Sequence, residues 1–147
     1  MKPVILGMSN PYTARPEYAL HPAPTGSSGW RLWRLLNART GASPSEYCAA
    51  FERKNLVGGA WNRLAARQAF RALAPQFQSR TVLLLGEEVR RAVGLSPNLV
   101  LPVVLNGVTY RQLPHPSGRN RWYNDPVCAE LAALVLEELY EGWRRKP

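Results

Sequence analysis

The chain has 147 residues, of which 46% are hydrophobic and 20% charged, a composition typical of one globular domain and not of a disordered or fibrous protein. Its formal net charge is +9, and only Lys2, Lys54 and Lys146 of its nineteen basic residues are lysines. Such an arginine-rich domain favours an anionic partner such as nucleic acid, although arginine enrichment in a GC-rich genome is an alternative explanation.

The cysteines and the apolar segments exclude several classes of protein. Cys48 and Cys128 lie far apart and have no cysteine or histidine at ligand spacing, which argues against a disulfide framework, a zinc site or an iron–sulfur cluster. No apolar run approaches the roughly 18 residues of a membrane span, and the N-terminus lacks the pattern of a signal peptide. We therefore expect an intracellular, cytoplasmic protein, associated with the nucleoid, that needs neither a metal nor a cofactor.

Predicted strands and helices alternate along the chain. Residues 3–6 form an apolar run that stops at Gly7, which predicts a buried strand, and a proline-rich loop follows over residues 9–29. Ser28 is the predicted cap of a helix that ends at Gly41. The next predicted elements are, in order, a short helix over 43–51, a strand at 55–57, a helix over 60–73, a strand over 81–85, a helix over 87–93, β-rich segments 101–105 and 108–113 flanking the hairpin signal Asn106-Gly107, a loop over 114–126 and a helix over 127–143.

This order of elements predicts the fold class. Strands of unbroken apolar residues that alternate with helices favour a parallel sheet that is covered on both faces. We therefore expect a single domain, residues 1–147, built as a three-layer α/β/α sandwich with a short, mainly parallel four-stranded sheet. Ligands in such folds bind beyond the carboxyl ends of the strands. The loops after Leu6 and after Leu113 are therefore the predicted place of a functional site.

Two segments in these loops resemble motifs of a known family. The first reads Gly7-Met8-Ser9-Asn10-Pro11-Tyr12, and the second reads His115-Pro116-Ser117-Gly118-Arg119-Asn120. The first resembles the water-activating motif of uracil-DNA glycosylases, Gly-Gln-Asp-Pro-Tyr in one branch and Gly-Met-Asn-Pro-Gly in the single-strand-selective branch. The second resembles their His-Pro-Ser-Pro-Leu or His-Pro-Ser-Pro-Arg-Asn motif, which ends in the wedge that enters the DNA stack.

Two further segments extend this resemblance to the uracil-DNA glycosylase superfamily. Asn55-Leu56-Val57 looks like the strand-end asparagine that reads the flipped pyrimidine, and residues 24–36 are similar to the Pro-Gly-Asn-x-Phe-Trp helix start of the mismatch-specific branch. The nearest branches are thus the single-strand-selective and mismatch-specific ones, without an iron–sulfur cluster. The resemblance implies a uracil-DNA glycosylase-like fold and a monofunctional enzyme of base excision repair. Its expected substrate is uracil or a related modified pyrimidine, flipped out of DNA and cut at its N-glycosidic bond.

Elementary chemistry suggests which residues would be catalytic. Cleavage of the glycosidic bond builds negative charge on the base, so hydrogen-bond donors aimed at a base oxygen in a dry pocket help most. His115, as a neutral imidazole, could donate to that oxygen. Asn10 could position the attacking water through its side-chain carbonyl, although asparagine is not a strong base. Because the first motif holds one residue more than the family form before its Asn-Pro pair, Ser9 is an alternative to Asn10.

Other residues of the two motifs would bind the base. Asn55 presents a donor and an acceptor to the Watson–Crick edge of a uracil-like base. Gly7 and Met8 would line the pocket with backbone atoms, and Tyr12 resembles the tyrosine that blocks the methyl group of thymine.

The second motif would bind the DNA around the flipped base. Base flipping leaves a gap in the stack, which Arg119 is expected to fill as a wedge. Ser117, Gly118, Asn120 and Arg121 would bind the flanking phosphates. DNA, single- or double-stranded, is therefore the expected partner, and a monomer is the default state.

Two questions stay open at this level. Tyr18 and Trp30 are both candidates for the aromatic residue that stacks on the base. The extra residue in the first motif favours a second hypothesis, a catalytically weak DNA-binding protein that recognises a modified base. A third hypothesis, an enzyme of free nucleosides or nucleotides, is opposed by the basic charge.

Overall fold

The computed structural model of the chain describes residues 1–10 and 15–145, without the side chain of Asn10. Its strands are β1 (Val4–Asn10), β2 (Glu52–Gly58), β3 (Thr81–Leu85), β4 (Val103–Leu105) and β5 (Val108–Leu113). They form one sheet in the order β2-β1-β3-β5-β4. Neighbouring strands are parallel except for β4 and β5. The predicted α/β class is confirmed, but the predicted count of four strands is wrong because β4 adds an antiparallel edge strand.

Helices cover both faces of this sheet. They are α1 (Ser28–Thr40), α2 (Pro44–Ala50), α3 (Arg63–Leu73), α4 (Glu87–Val93) and α5 (Pro126–Arg144). Ile5 and Leu83 point from the sheet into a core shared with α1, α2 and α5. Leu6 and Leu84 point the other way, into a core shared with α3 and α4. The chain therefore has three layers, and the alternation of side chains along each strand produces the two cores. Within the described ranges, no helix is long and apolar enough to cross a bilayer.

The first strand is longer than the sequence predicts. The prediction ends it at residue 6 and begins a loop at residue 9, but β1 stays paired with β2 through Ser9 and Asn10. Gly7 does not end the strand, because it is the register partner of Asn55 in the parallel ladder. The Gly7-Met8-Ser9-Asn10 part of the first motif is therefore strand and not loop.

Side-chain caps define where the helices begin. Ser27, and not the predicted Ser28, caps α1 by accepting a hydrogen bond from the Trp30 amide at 3.2 Å. The helix α3 begins at Arg63, later than predicted, because the side chain of Asn62 accepts a hydrogen bond from the Ala65 amide. These caps leave the sequence of elements unchanged.

The connections diverge at one edge of the sheet. The chain leaves β1 towards α1 on one face, whereas it leaves β3 towards α4 on the opposite face. Because β1 and β3 are neighbours, their outgoing connections part between them. In open α/β sheets this topological switch point is where ligands bind, beyond the carboxyl ends of the strands.

Candidate functional site

The carboxyl ends of four parallel strands bring the two motifs to one edge of the sheet. Gly7 in β1 lies beside Asn55 in β2. Gly86, directly after β3, donates its amide hydrogen to the carbonyl of Leu113 at 2.8 Å. A Cβ atom on Gly86 would lie 3.2 Å from the Cβ of His115, so the start of the second motif packs against the end of β3.

The amide of Asn55 lies over the main chain of Gly7. A Cβ atom at position 7 would lie 2.7 Å from the Asn55 Oδ1 atom and 3.3 Å from a methyl carbon of Leu20. Asn55 is half-buried, and its amide forms no hydrogen bond with any described residue. Its donor and acceptor are therefore both available to a ligand.

The backbone around Leu20 forms a wall of the site that sequence reasoning missed. The Tyr47 hydroxyl donates a hydrogen bond to the Leu20 carbonyl, and the Arg53 guanidinium donates one to the Ala19 carbonyl, both at 2.9 Å. Gly29 allows α1 to approach closely, because a Cβ atom there would clash with the backbone of Leu20 and His21. Leu20 lies in an irregular loop without periodicity, so no sequence signal pointed to it.

His115 lies in a loop held by hydrogen bonds on both sides. The Asn120 side-chain nitrogen donates to the His115 carbonyl at 2.9 Å, and the Tyr123 hydroxyl donates to the Pro114 carbonyl at 2.5 Å. The imidazole is half-buried, and this burial lowers the pKa of His115 from its ordinary value of 6.5. No described residue forms a hydrogen bond with the ring. It is therefore neutral at pH 7 and free to bond a ligand.

The other residues of the second motif divide into two groups. The side chain of Asn120 is used inside the loop, because its oxygen also accepts a hydrogen bond from the Trp122 amide at 3.1 Å. Arg119 and Arg121 are exposed, and neither forms an ion pair or hydrogen bond with the described residues. Gly118 is exposed and Ser117 half-buried. Contact of this loop with DNA stays a prediction, with Arg119 and Arg121 as its available cations.

The end of β1 gives partial information on the residue that would position water. Met8 packs its side chain into the core on the α3 and α4 side, so only its backbone can serve the site. Ser9 is half-buried and, two residues after Gly7, shares the face of Gly7 and Asn55. The side chain of Asn10 and the whole of Tyr12 lie outside the described residues.

The two aromatic candidates differ in their surroundings. Tyr18 is exposed, and its ring contacts that of His21 edge-on at 5.7 Å between centroids. Trp30 is half-buried beneath the guanidinium of Arg34, which lies 5.1 Å from its ring centroid. Which ring would stack on a base stays open.

Neither a metal-binding cluster nor a known relative helps to identify this site. Among residues 1–10 and 15–145, no three histidine, cysteine, aspartate or glutamate side chains are grouped so that they could hold a metal ion. No protein-family model and no curated protein matches the chain. The side chains of the site, and not a relative, therefore support the proposal that follows.

Proposed function

We propose that the chain is a DNA glycosylase with a uracil-DNA glycosylase-like fold. It hydrolyses the N-glycosidic bond of uracil or a related modified pyrimidine that is flipped out of DNA, as in base excision repair. The main support is one observation: the amide of Asn55 and the imidazole of His115, neither bonded to a described residue, lie towards the same edge of the sheet, on either side of the switch point between β1 and β3.

The proposed recognition step uses Asn55 over Gly7. An amide offers an N–H and a C=O side by side, which matches the adjacent carbonyl and N–H groups on the Watson–Crick edge of uracil. Glycine at position 7 leaves the space in which that amide lies. Discrimination against bases without this edge follows, because a mismatched edge would leave the amide unpaired in a half-buried place.

The proposed chemical step uses His115 and a water molecule. As the bond between the sugar C1′ and the base nitrogen breaks, the electron pair leaves with the base and its negative charge develops on a carbonyl oxygen. The N–H of the neutral His115 imidazole stabilises that oxygen. A water molecule, positioned by Asn10 or Ser9, adds its oxygen to C1′ and loses a proton, and the departed base anion takes up one proton from solvent, so the products are the neutral base and an abasic sugar.

The basic surface supports DNA as the partner. The net charge of +9 favours a polyanion, and the exposed Arg119 would fill the gap that the flipped base leaves. Ser117, Gly118 and Arg121 would contact flanking phosphates. The proposed function also implies that the protein is an intracellular monomer associated with the nucleoid.

A second candidate function is a DNA-binding protein that recognises a modified base without cleaving it. The observation that favours it is the regular pairing of β1 with β2 through Asn10, which accommodates the extra residue of the first motif within the strand. Compared with the family form of the motif, the extra residue would move the group that positions water. Catalysis would then be lost, whereas Asn55 would still recognise the base.

Base release from defined oligonucleotides tests both candidates. Single- and double-stranded oligonucleotides carrying uracil, 5-hydroxymethyluracil or mismatched thymine are incubated with the protein in EDTA, and abasic sites are revealed by alkaline strand breakage. The expected result is breakage of at least one substrate, abolished by His115→Ala while DNA affinity is retained. Asn55→Ala should lose its preference for DNA that contains the target base. Asn98 lies in a turn before β4, and Asn98→Ala serves as the matched control. DNA binding without breakage at protein excess would contradict catalysis on these bases and favour the second candidate.

A further inference from the structure

Arg31, near the start of α1, is the least satisfied arginine that the structure describes. Five arginines of the described residues are not exposed, namely Arg31, Arg53, Arg80, Arg90 and Arg111. The last four donate at least one hydrogen bond to a carbonyl or carboxylate oxygen, although the Nε atom of Arg53 is also buried without a partner. Arg31 forms neither a hydrogen bond nor an ion pair with any described residue, and its Nε atom is buried without a partner.

A half-buried guanidinium without an acceptor is costly. Arginine stays protonated at any pH that a folded protein tolerates, so it cannot escape the cost by losing its proton. Leaving a buried donor unsatisfied costs more than a typical hydrogen bond contributes, and such groups point to a bound ion or ligand. A guanidinium without an acceptor among the described residues is suited to bind an anion through its Nη atoms.

The position of this guanidinium links it to the second motif. A Cβ atom on Gly118 would lie 2.8 Å from the Arg31 Nη2 atom and 3.4 Å from its Cζ atom. The same loop begins with His115 and carries the exposed Arg119 and Arg121, and residues 114–121 include no acidic residue. An anion held by Arg31 would thus lie next to this loop, among positive charges.

We propose that Arg31 binds a phosphate of the DNA backbone beside the flipped nucleotide, an inference that rests on the proposed function. A guanidinium fork matches the oxygens of a phosphate, and a DNA strand that inserts a base at His115 must carry phosphates past this loop. Glycine at position 118 leaves the space in which the guanidinium lies, and a side chain there would displace it. Arg31 is a binding residue here, not a catalytic one.

Arg31→Gln tests the proposal, with Arg71→Gln as the control. Arg71 is an exposed arginine of α3, on the opposite face of the sheet, so both variants remove the same charge. The affinity for an oligonucleotide that carries uracil as the target base is measured over a series of salt concentrations. For Arg31→Gln, the slope of log K against log salt should become shallower by about 0.7 to 0.9, the loss of one phosphate contact, and affinity should fall on the order of tenfold. Arg71→Gln should change neither, and equal effects of the two variants would overturn the proposal.

A phosphate-by-phosphate scan locates the contact. Single neutral methylphosphonates replace the phosphates around the target nucleotide in turn, and binding is measured for wild type, Arg31→Gln and Arg31→Lys. At one position that flanks the target nucleotide, the methylphosphonate should weaken binding by wild type but should not weaken binding by Arg31→Gln any further. Arg31→Lys keeps the positive charge, so the same methylphosphonate should weaken its binding in part. Identical scans for all three proteins would contradict a DNA phosphate as the ligand.

Inorganic phosphate separates this inference from the proposed function. Phosphate, compared with chloride at equal ionic strength, should raise the melting temperature of wild type and of Arg71→Gln more than that of Arg31→Gln, which keeps only the general stabilising effect of phosphate on proteins. These results, with the DNA results above, would support the Arg31 site even if no base were released, in which case only the proposed catalysis would fail. Loss of the phosphate effect with unchanged DNA affinity would overturn the assignment to DNA.

Discussion

A Cβ atom on Gly7 would lie only 2.7 Å from the Oδ1 atom of Asn55. The two residues are register partners on neighbouring parallel strands, so the asparagine amide lies over the glycine main chain. A methyl group of Leu20 would be 3.3 Å from the same Cβ. The missing side chain at position 7 is thus what gives the Asn55 amide its place, and this contact joins the fold to the proposed base-binding site.

Gly7→Ala should therefore damage both stability and base recognition. The added methyl has the Asn55 side chain on one side and Leu20 on the other, and overpacking of this kind costs about 1–3 kcal/mol in the free energy of unfolding. Urea denaturation measures that loss. Binding of an oligonucleotide with the target base should weaken more than binding of one without it, because the Asn55 amide is displaced.

Two further variants show whether Asn55 is the cause. Gly142→Ala, in α5 with open space around the new Cβ, should be neutral or stabilising by up to about 1 kcal/mol, as for glycine in a helix interior. Combining Gly7→Ala with Asn55→Ala should recover part of the lost stability. Stability changes that simply add, within about 0.3–0.5 kcal/mol, would mean that the two residues do not compete for space.

The pH dependence of base release tests the neutral form of His115. Burial lowers the pKa of this imidazole from 6.5, so it is already uncharged at pH 7. If the neutral N–H is the operative donor, single-turnover base release should stay level between pH 7 and pH 9. A rate that falls tenfold for each pH unit above neutrality would show that an imidazolium is required instead.

The same lowered pKa has a consequence for stability. The unfolded chain binds a proton at His115 more readily than the folded chain does, so stability falls as the pH drops from 6.5 towards the lower folded value. His115→Gln should remove this fall in stability below pH 6.5, and the pH dependence of stability at higher pH should stay as in wild type. Urea denaturation at closely spaced pH values between 7 and 5 measures the difference.

Elements with strong local chemistry could be predicted from the sequence. The strand Thr81–Leu85 is a bounded apolar run, and the structure confirms it. Asn106 and Gly107 have positive φ angles of 50° and 77°, as the predicted hairpin between β4 and β5 requires. The short helix Glu87–Val93 is confirmed as well, with glycines on both sides of it.

Features that depend on distant contacts could not be predicted in this way. Gly7 looks like a strand end because the sequence does not show that Asn55 lies beside it. Leu20 and Arg31 stand in segments whose local pattern says nothing of Gly7 or Gly118, so neither was singled out. Asn120 matches a motif residue, yet its side chain bonds its own loop, a role that only the three-dimensional arrangement shows.

Glu88 should contribute modestly to the stability of the chain above pH 4.5. Arg63 donates two hydrogen bonds to its carboxylate at 3.0 and 3.1 Å, and the Trp61 indole donates a third at 3.1 Å. These contacts, that of Arg63 above all, lower the pKa of Glu88 from 4.5. Its contribution is fully present above pH 4.5 and is lost as the pH falls through the lower folded value.

Glu88→Gln should weaken this acid dependence. The variant should be less stable than wild type at pH 6, because the link between α4 and the start of α3 is weakened, and the difference should shrink as the pH falls below 4.5. The free energy of unfolding in urea at pH 6, 4.5 and 3.5 checks this, with the exposed Glu17→Gln as control. A difference that is the same at all three pH values would show that the ionised carboxylate is not what stabilises the contact.

Asn120 should matter for activity because it positions His115, not because it binds DNA. Its side chain joins the His115 carbonyl to the Trp122 amide, and Asn120→Ala removes both hydrogen bonds at a cost of about 1–3 kcal/mol. Asn98→Ala is the matched control, since the Asn98 side-chain oxygen accepts hydrogen bonds from the amides of Val100 and Leu101 in the turn before β4 and bonds neither motif. Both variants should lose similar stability in urea denaturation, but only Asn120→Ala should slow base release, on the order of ten- to a hundredfold, through misplacement of the imidazole.

The salt dependence of DNA binding should be the same in the two variants, because no phosphate contact is lost. A shallower salt slope for Asn120→Ala alone would instead assign its side chain to the DNA backbone, as the motif resemblance first suggests.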